Sequence, residues 1–372
     1  METCDALIVG GGPAGSTCAA HLRRAGLDVM IVDAAAFPRD KVCAGWITPP
    51  VVTELHLDAE AYRQGRTYQP FTGFRVGLIG GHDETQVLYD SPVSFGIRRC
   101  EFDHYLLQRS GARVIQRMPI TGIRRDHGQW IVNDAVRTPM LVGAGGYGCP
   151  VARSINGVVR GAPLVVAQEA EIPIDAAADA SIAIDRQVPE LYFCRDLNGY
   201  GWCVRKGEYL NVGLGRLDRH SLPAAMAQFT AFLEARNKIP PRRSWPWRGH
   251  AYVVNDTRHR RLVDAGVMLV GDAAGLAYAQ SGEGIRPAVE SGLLAAETIV
   301  EAHGQYSRSR LEPYAQHLLT RFAPGQLSPL AGIVPASVRT VLGRRLLHAP
   351  AFVRRIVLDQ WFLHRHQPAL GV

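Results

Sequence analysis

Lysine is nearly missing from this chain. Of 372 residues only Lys41, Lys206 and Lys238 are lysine, and arginine carries the positive charge. The bias is compositional and by itself marks no function. The seven cysteines (Cys4, Cys18, Cys43, Cys100, Cys149, Cys194 and Cys203) form no Cys-x-x-Cys pair and no zinc-type spacing. That excludes a dithiol redox centre or a cysteine-held metal, and reads as reduced thiols in a cytosolic protein. No apolar run reaches the roughly 18–20 residues that span a bilayer. The acidic start, Met1-Glu-Thr-Cys-Asp5, leads into a strand rather than a signal peptide. Internal repeats and low-complexity stretches are lacking as well. The expectation is a cytoplasmic protein, at most peripheral to a membrane.

What is there suits a large folded body. Hydrophobic residues make up 47% and charged residues 20%, ordinary values for a globular chain. The length calls for two lobes or one large α/β unit. The net charge of +7 is unevenly placed: from Glu301 onward nine arginines face only Glu301, Glu312 and Asp359. Such a tail could meet nucleic acid, anionic lipid or an acidic partner, or be a solvated helix face.

The opening reads as a βαβ unit. Ala6–Val9 is a buried strand, Gly10–Gly15 a tight turn, Ala14–Ala25 a helix, and Leu27–Val32 a second strand ending in Asp33. A loop runs from Phe37 to Pro50. Paired strands follow at 74–79 and 85–89, a helix at 102–110, and further strands at 113–118, 120–125, 129–132 and 140–143. The stretch 163–215 is strand-rich, 221–236 is helical, and 239–249 is a loop rich in Pro, Trp and Arg. Val267–Val270 is another buried strand, Ile285–Ala302 a long helix, and the last seventy residues look helical. The fold class expected is α/β.

Gly10-Gly-Gly12-Pro13-Ala14-Gly15 satisfies Gly-x-Gly-x-x-Gly in the context that gives the motif meaning. The first glycine permits the turn out of the strand. The second lets backbone approach a pyrophosphate, and the third lets helix and strand pack closely. The helix N-terminus offers free N–H groups to that phosphate, and Asp33 can accept adenosine ribose hydroxyls. A dinucleotide site is expected. A Gly-rich structural turn is the alternative.

A second segment has the same look. Gly266-Val-Met-Leu-Val-Gly-Asp-Ala-Ala-Gly275, then Ser281-Gly-Glu-Gly-Ile-Arg-Pro-Ala288, resembles the second FAD motif of the flavoprotein superfamily that includes aromatic hydroxylases and geranylgeranyl reductases. The resemblance implies that Asp272 binds the ribityl chain and that Gly282–Gly284 place N–H groups at the flavin pyrimidine edge. A helix N-terminus there suits reduced flavin, which is anionic near N1 and O2. Gly271, Gly275, Glu283 and Ile285 belong to the same implied site. Arg99-Cys-Glu-Phe-Asp103 resembles the superfamily's Arg-x-x-Phe-Asp stretch, whose arginine lies close to the cofactor; an ordinary surface pair of Arg99 with Glu101 or Asp103 is the alternative. One departure stands out. Where the superfamily has Ala-Asp-Gly, this chain reads Gly143-Ala-Gly-Gly146, and a pyridine nucleotide as electron donor is correspondingly in doubt.

Two further stretches narrow the family. Pro38-Arg39-Asp-Lys41-Val-Cys43-Ala44-Gly45 resembles the Pro-Arg-Asp-Lys-x-Cys-Gly-Gly segment of geranylgeranyl reductases. Tyr200-Gly-Trp202-Cys-Val-Arg-Lys206 resembles their Tyr-x-Trp-x-Phe-Pro-Lys motif, with Val204-Arg205 in place of Phe-Pro. The resemblance covers roughly residues 1–300. It implies a Rossmann-type FAD-binding domain (1–70, 96–160 and 255–305), an inserted, largely antiparallel β substrate domain (71–95 and 161–254) and a helical C-terminal region (306–372). It implies non-covalent FAD, NAD(P)H or another reductant, no metal, and hydride transfer from flavin N5 to a carbon–carbon double bond of an apolar, isoprenoid or lipid-like small molecule. Nucleic acid is not an expected partner.

Other readings stay open. Cys43 is either a thiol beside the flavin or a small buried apolar residue. Tyr200 and Trp202, two apart on a strand, share one side and either line an apolar cleft or pack the sheet. No histidine sits in a motif that identifies a proton donor. A flavin monooxygenase of an aromatic or polyketide-like molecule shares the fold, and a non-catalytic flavoprotein sensor is the alternative of another class. Halogenases carry a catalytic lysine after the first domain's loop, and no lysine lies between 42 and 205. Arginine-apolar pairing at 342–347 and 352–357 suits either an interfacial helix or helices packed on the substrate lobe.

Overall fold

The computed structural model describes residues 1–157, 164–175, 181–240, 244–254, 260–322 and 336–371. The domain junctions expected near 160 and 255 fall outside those residues. Short runs, apolar throughout in the central strands, build a six-stranded sheet in the order Val263–Asp264, Val267–Leu269, Met140–Gly143, Ala6–Val9, Val29–Val32, Arg113–Ile115. It is parallel apart from the outermost hairpin. Ala6, Leu7, Ile8, Met30, Ile31 and Leu141 are fully buried, as strands covered on two faces require. The helices Pro13–Arg24, Ile285–Glu301 and Arg308–Arg321 share this core through Cys18, Leu294 and Tyr314.

A seven-stranded sheet stands beside it, in the order Arg248–Val253, Leu164–Pro173, Tyr209–Arg216, Gly199–Lys206, Glu190–Phe193, Gly73–Leu78, Glu84–Leu88. All its pairings are antiparallel except Glu190–Phe193 with Gly73–Leu78. The helix Leu222–Glu234 buries Met226, Phe229 and Leu233 in one cluster with Tyr192, Leu210, Val212 and Leu214 of this sheet. The opposite face carries Phe74, Trp202 and Val204 and is covered by the C-terminal helix Val353–Phe362, whose wide turns bury Val353, Val357, Leu358 and Phe362. Two small sheets complete the fold: Trp46–Ile47 with Ser94–Gly96 and Gln69–Phe71, and a four-stranded one whose strands Glu2–Thr3 and Val136–Thr138 run on into Ala6–Val9 and Met140–Gly143 of the parallel sheet.

One expectation needs correction. The stretch read as a loop over 239–249 gives way at Arg248 to a strand, because its backbone finds partners along Leu164–Glu169. The C-terminal stretch is helical over most of its described residues. Arg308–Arg321 packs on the parallel sheet, where Tyr314 donates to Leu269 O at 2.6 Å, and Val353–Phe362 packs on the seven-stranded sheet. Among the described residues no helix is long and apolar enough to cross a membrane.

Candidate active site

A cavity of about 520 Å³ opens where the C-terminal ends of the parallel strands meet the seven-stranded sheet. Ligands of open α/β folds bind at this end of the strands. Gly10, Gly12, Pro13, Ala14, Asp33, Arg39, Lys41, Cys43, Ala44, Arg99, Gly271, Asp272, Gly282, Glu283, Gly284 and Ile285 all line it, together with Tyr200 and Trp202. Gly15 and Gly275 do not. A Cβ on Gly15 would lie 2.0 Å from Gly10 O, so this glycine serves the contact of helix and strand. Gly275, with φ of 76°, ends the short turn Gly271–Ala274.

Two helix N-termini face the cavity. Pro13–Arg24 starts at Gly12 and Ile285–Glu301 starts at Gly284, and neither of these N-cap residues has a side chain to satisfy the first N–H groups. Asp33 steadies the first turn: Gly11 N–H donates to its Oδ2 at 2.7 Å and Ala35 N–H to its Oδ1 at 2.8 Å. Each carboxylate oxygen keeps acceptor capacity for a ligand.

Charged groups gather along the middle of the wall. Arg99 donates twice to the fully buried Asp103, at 2.8 Å each, and Arg39 stands 3.4 Å from the same carboxylate. Glu101 turns instead to Arg98 at 2.9 Å. The Arg99–Asp103 pair is therefore buried and at the cavity, rather than on the surface. Lys41 Nζ lies 2.9 Å from His250 Nε2 and 4.0 Å from Asp272 Oδ2. Burial and the Lys41 charge push His250 down to about 4, so its ring is neutral and accepts from the ammonium. Burial also lowers Lys41, against the pull of Asp272. Glu283 is raised to about 7 by burial, partly offset by Arg286.

The other end of the cavity is aromatic. Tyr200 and Trp202 project from one face of their strand with ring centroids 6.1 Å apart. The Tyr200 hydroxyl donates to Ser281 O, and Trp202 Nε1 donates to Asn211 Oδ1 at 2.7 Å. Trp46, Ala167 and Tyr252 extend this wall, and Phe362 packs 5.1 Å behind Tyr200. Cys43 is half-buried at the cavity, its Sγ accepting the Gly45 N–H at 3.4 Å. Sequence reasoning missed His250, Tyr252 and Trp46. The alternation His250-Ala-Tyr252-Val was the one signal for a strand there.

The chain is similar to several known proteins. Residues 8–58 match the family described as an NAD(P)-binding Rossmann-like domain. The chain is 30% identical over 325 residues to the menaquinone reductase of Mycolicibacterium smegmatis, covering 79% of this chain and 75% of that protein. It is 26% identical over 323 residues to the digeranylgeranylglycerophospholipid reductase of Methanocaldococcus jannaschii, covering 81% and 78%. A geranylgeranyl bacteriochlorophyll reductase-like protein of Thermoplasma acidophilum shares the fold with a TM-score of 0.73 at 22% identity, over 94% of this chain and 88% of that one.

Proposed function

Because the chain belongs to the geranylgeranyl reductase family of FAD-dependent oxidoreductases, we propose that it reduces a carbon–carbon double bond of an apolar, isoprenoid or lipid-like molecule. The observation that carries this reading is a single cavity with a glycine-lined, charged half and an aromatic half. FAD fits the first half on its donor set. Two helix N-termini without side-chain caps suit a pyrophosphate and an electron-rich ring edge.

Gly10, Gly12, Pro13, Ala14 and Asp33 would hold the adenosine diphosphate portion, with Gly15 keeping the turn in place. Arg39, Lys41, Cys43, Ala44 and Arg99 would flank the middle. Gly271, Asp272, Gly282, Glu283, Gly284 and Ile285 would hold the flavin portion, with Gly275 shaping the turn. When bound, FAD supplies hydride transfer, with NAD(P)H or another reductant restoring it. The protein's part is orientation and exclusion of water: Tyr200, Trp202, Trp46 and Tyr252 give an apolar substrate a dry, rigid wall. The names of the two relatives, which concern menaquinone and a geranylgeranylated lipid, support that substrate class.

The test is reoxidation without oxygen. The FAD-loaded protein is photoreduced anaerobically and mixed with polyprenyl diphosphates and prenylated quinones. Substrate-dependent return of the oxidised spectrum is the expected result. Turnover that needs O₂ in step with product would instead identify a monooxygenase, and no substrate response at all a sensor.

A lipid-like substrate gives the C-terminal region a further role: contact with an anionic membrane surface. The helix Ala336–Leu346 exposes Val338, Val341 and Leu342 beside Arg339, Arg344 and Arg345, and holds no acidic residue. Val341→Asp is expected to abolish pelleting with phosphatidylglycerol vesicles and to change stability by less than about 0.5 kcal/mol. Unchanged pelleting removes the role.

A further inference from the structure

The segment Lys41–Cys43 is a thin partition. The large cavity lies on one side, and a second cavity of about 180 Å³, lined by Arg98, Glu169, Glu171 and Tyr209 among others, lies on the other. Lys41, Val42, Cys43 and Arg99 border the two cavities alike. Val42, Cys43 and Ala44 do pack on apolar neighbours, but a segment with space on two sides has fewer contacts to hold it than one embedded in a core.

Polar side chains from three neighbouring strands supply the remaining hold. Glu169, on Leu164–Pro173, accepts the Cys43 N–H. Asn211, on Tyr209–Arg216, donates from Nδ2 to Cys43 O at 3.3 Å while its Oδ1 accepts from Trp202. Lys206, on Gly199–Lys206, donates to Ala44 O at 3.1 Å and Ile97 O at 3.0 Å and pairs with Glu171 at 2.6 Å. Consecutive backbone groups of one loop are thus tied to the sheet that also carries Tyr200 and Trp202.

We propose that Glu169, Asn211 and Lys206 are positioning residues that set the place of the Cys43 side chain in the cavity and lock the loop wall to the aromatic wall. This rests on reading the cavity as the active site. Asn211 joins the two walls directly, since one amide holds Trp202 and Cys43 together. Ion pairing of Lys206 with Glu171 leaves Glu169 free to serve the Cys43 N–H.

The test is the reactivity of Cys43 toward a bulky aromatic disulfide, measured on the full chain with and without FAD. A Cys100→Ser background removes the other half-buried thiol, and the remaining five cysteines are buried. Glu169→Ala is expected to speed labelling of Cys43 about tenfold, the size of a small local opening, with kcat falling more than KM rises. Glu169→Gln keeps an acceptor for the N–H and should restore parental rates. Asn211→Asp keeps the acceptor for Trp202, loses the donor to Cys43 O, and serves where Glu169→Ala does not fold. Labelling and kcat unchanged in a folded Glu169→Ala or Asn211→Asp protein would overturn the proposal, as would Glu169→Gln behaving like Glu169→Ala. A chain that takes up no FAD would defeat the functional reading, whereas the labelling comparison in the FAD-free protein still tests the positioning role.

Discussion

The turn Gly10–Gly15 and the segment Lys41–Gly45 wall the same cavity and are held by opposite means. The turn depends on missing side chains: a Cβ at Gly15 would lie 2.0 Å from a backbone oxygen, and one at Gly10 would lie 2.4 Å from Ala144 O. Steric room for backbone is its main requirement, with the Asp33 carboxylate accepting the Gly11 N–H. The segment depends on side chains contributed from far along the chain, Glu169, Lys206 and Asn211, which satisfy its backbone groups one by one. A wall held by close backbone approach is rigid and indifferent to pH. A wall held by buried ions answers to charge.

The largest expected effect tests the ionic wall. Lys206 is fully buried and gives its protons to Ala44 O, Ile97 O and Glu171. Burial alone would raise the Glu171 carboxyl, but Lys206 and Arg98 hold it down at about 2. Lys206→Met leaves that carboxylate short of a partner and should cost about 3–5 kcal/mol in denaturant unfolding. A loss below about 1 kcal/mol would break the contrast, since it would mean that packing holds this wall after all.

A second effect separates the walls by pH. Burial raises the Glu169 carboxyl to about 7, with Lys206 working against it. Its folded value thus exceeds the unfolded one of 4.5. The folded state then binds the extra proton, so the contribution is complete below about pH 4.5 and is lost as pH rises to about 7. The span is on the order of 3 kcal/mol at most. Glu169→Gln should flatten that part of the melting-temperature profile relative to the parent. Gly15→Ala should lower the whole profile without changing its slope there.

The same division explains what the sequence made legible. Gly10, Gly12 and Asp33 could be read because the turn's requirement is local, and a glycine at a fixed distance from a strand end states it in full. Gly282 and Gly284 were legible through resemblance for the same reason. The partners of Cys43 were not: Glu169 and Asn211 look like ordinary polar positions, and the motif that contains Lys206 does not name its partners, until antiparallel pairing sets the three side by side. His250 and Tyr252 were hidden by Trp245-Pro-Trp247, which reads as loop. Their strand exists because Leu164–Glu169 offers it an edge, and no local pattern announces an edge.

The smallest expected effect on stability falls within the glycine turn itself and divides it in two. Gly12 differs from Gly15 in what surrounds it. A Cβ there would meet only the far end of Arg39, 3.4 Å away, and its φ of −74° is open to any residue. Gly12→Ala should therefore fold with a change of about 0.5 kcal/mol or less. The added methyl nonetheless stands at the start of the first helix, on the cavity side, where a pyrophosphate needs backbone contact. FAD affinity should fall about tenfold or more, measured by fluorescence titration of the stripped protein. A Gly12→Ala protein with unchanged affinity would mean that the turn is shaped only by the contact of helix and strand, with the cofactor's phosphates held elsewhere.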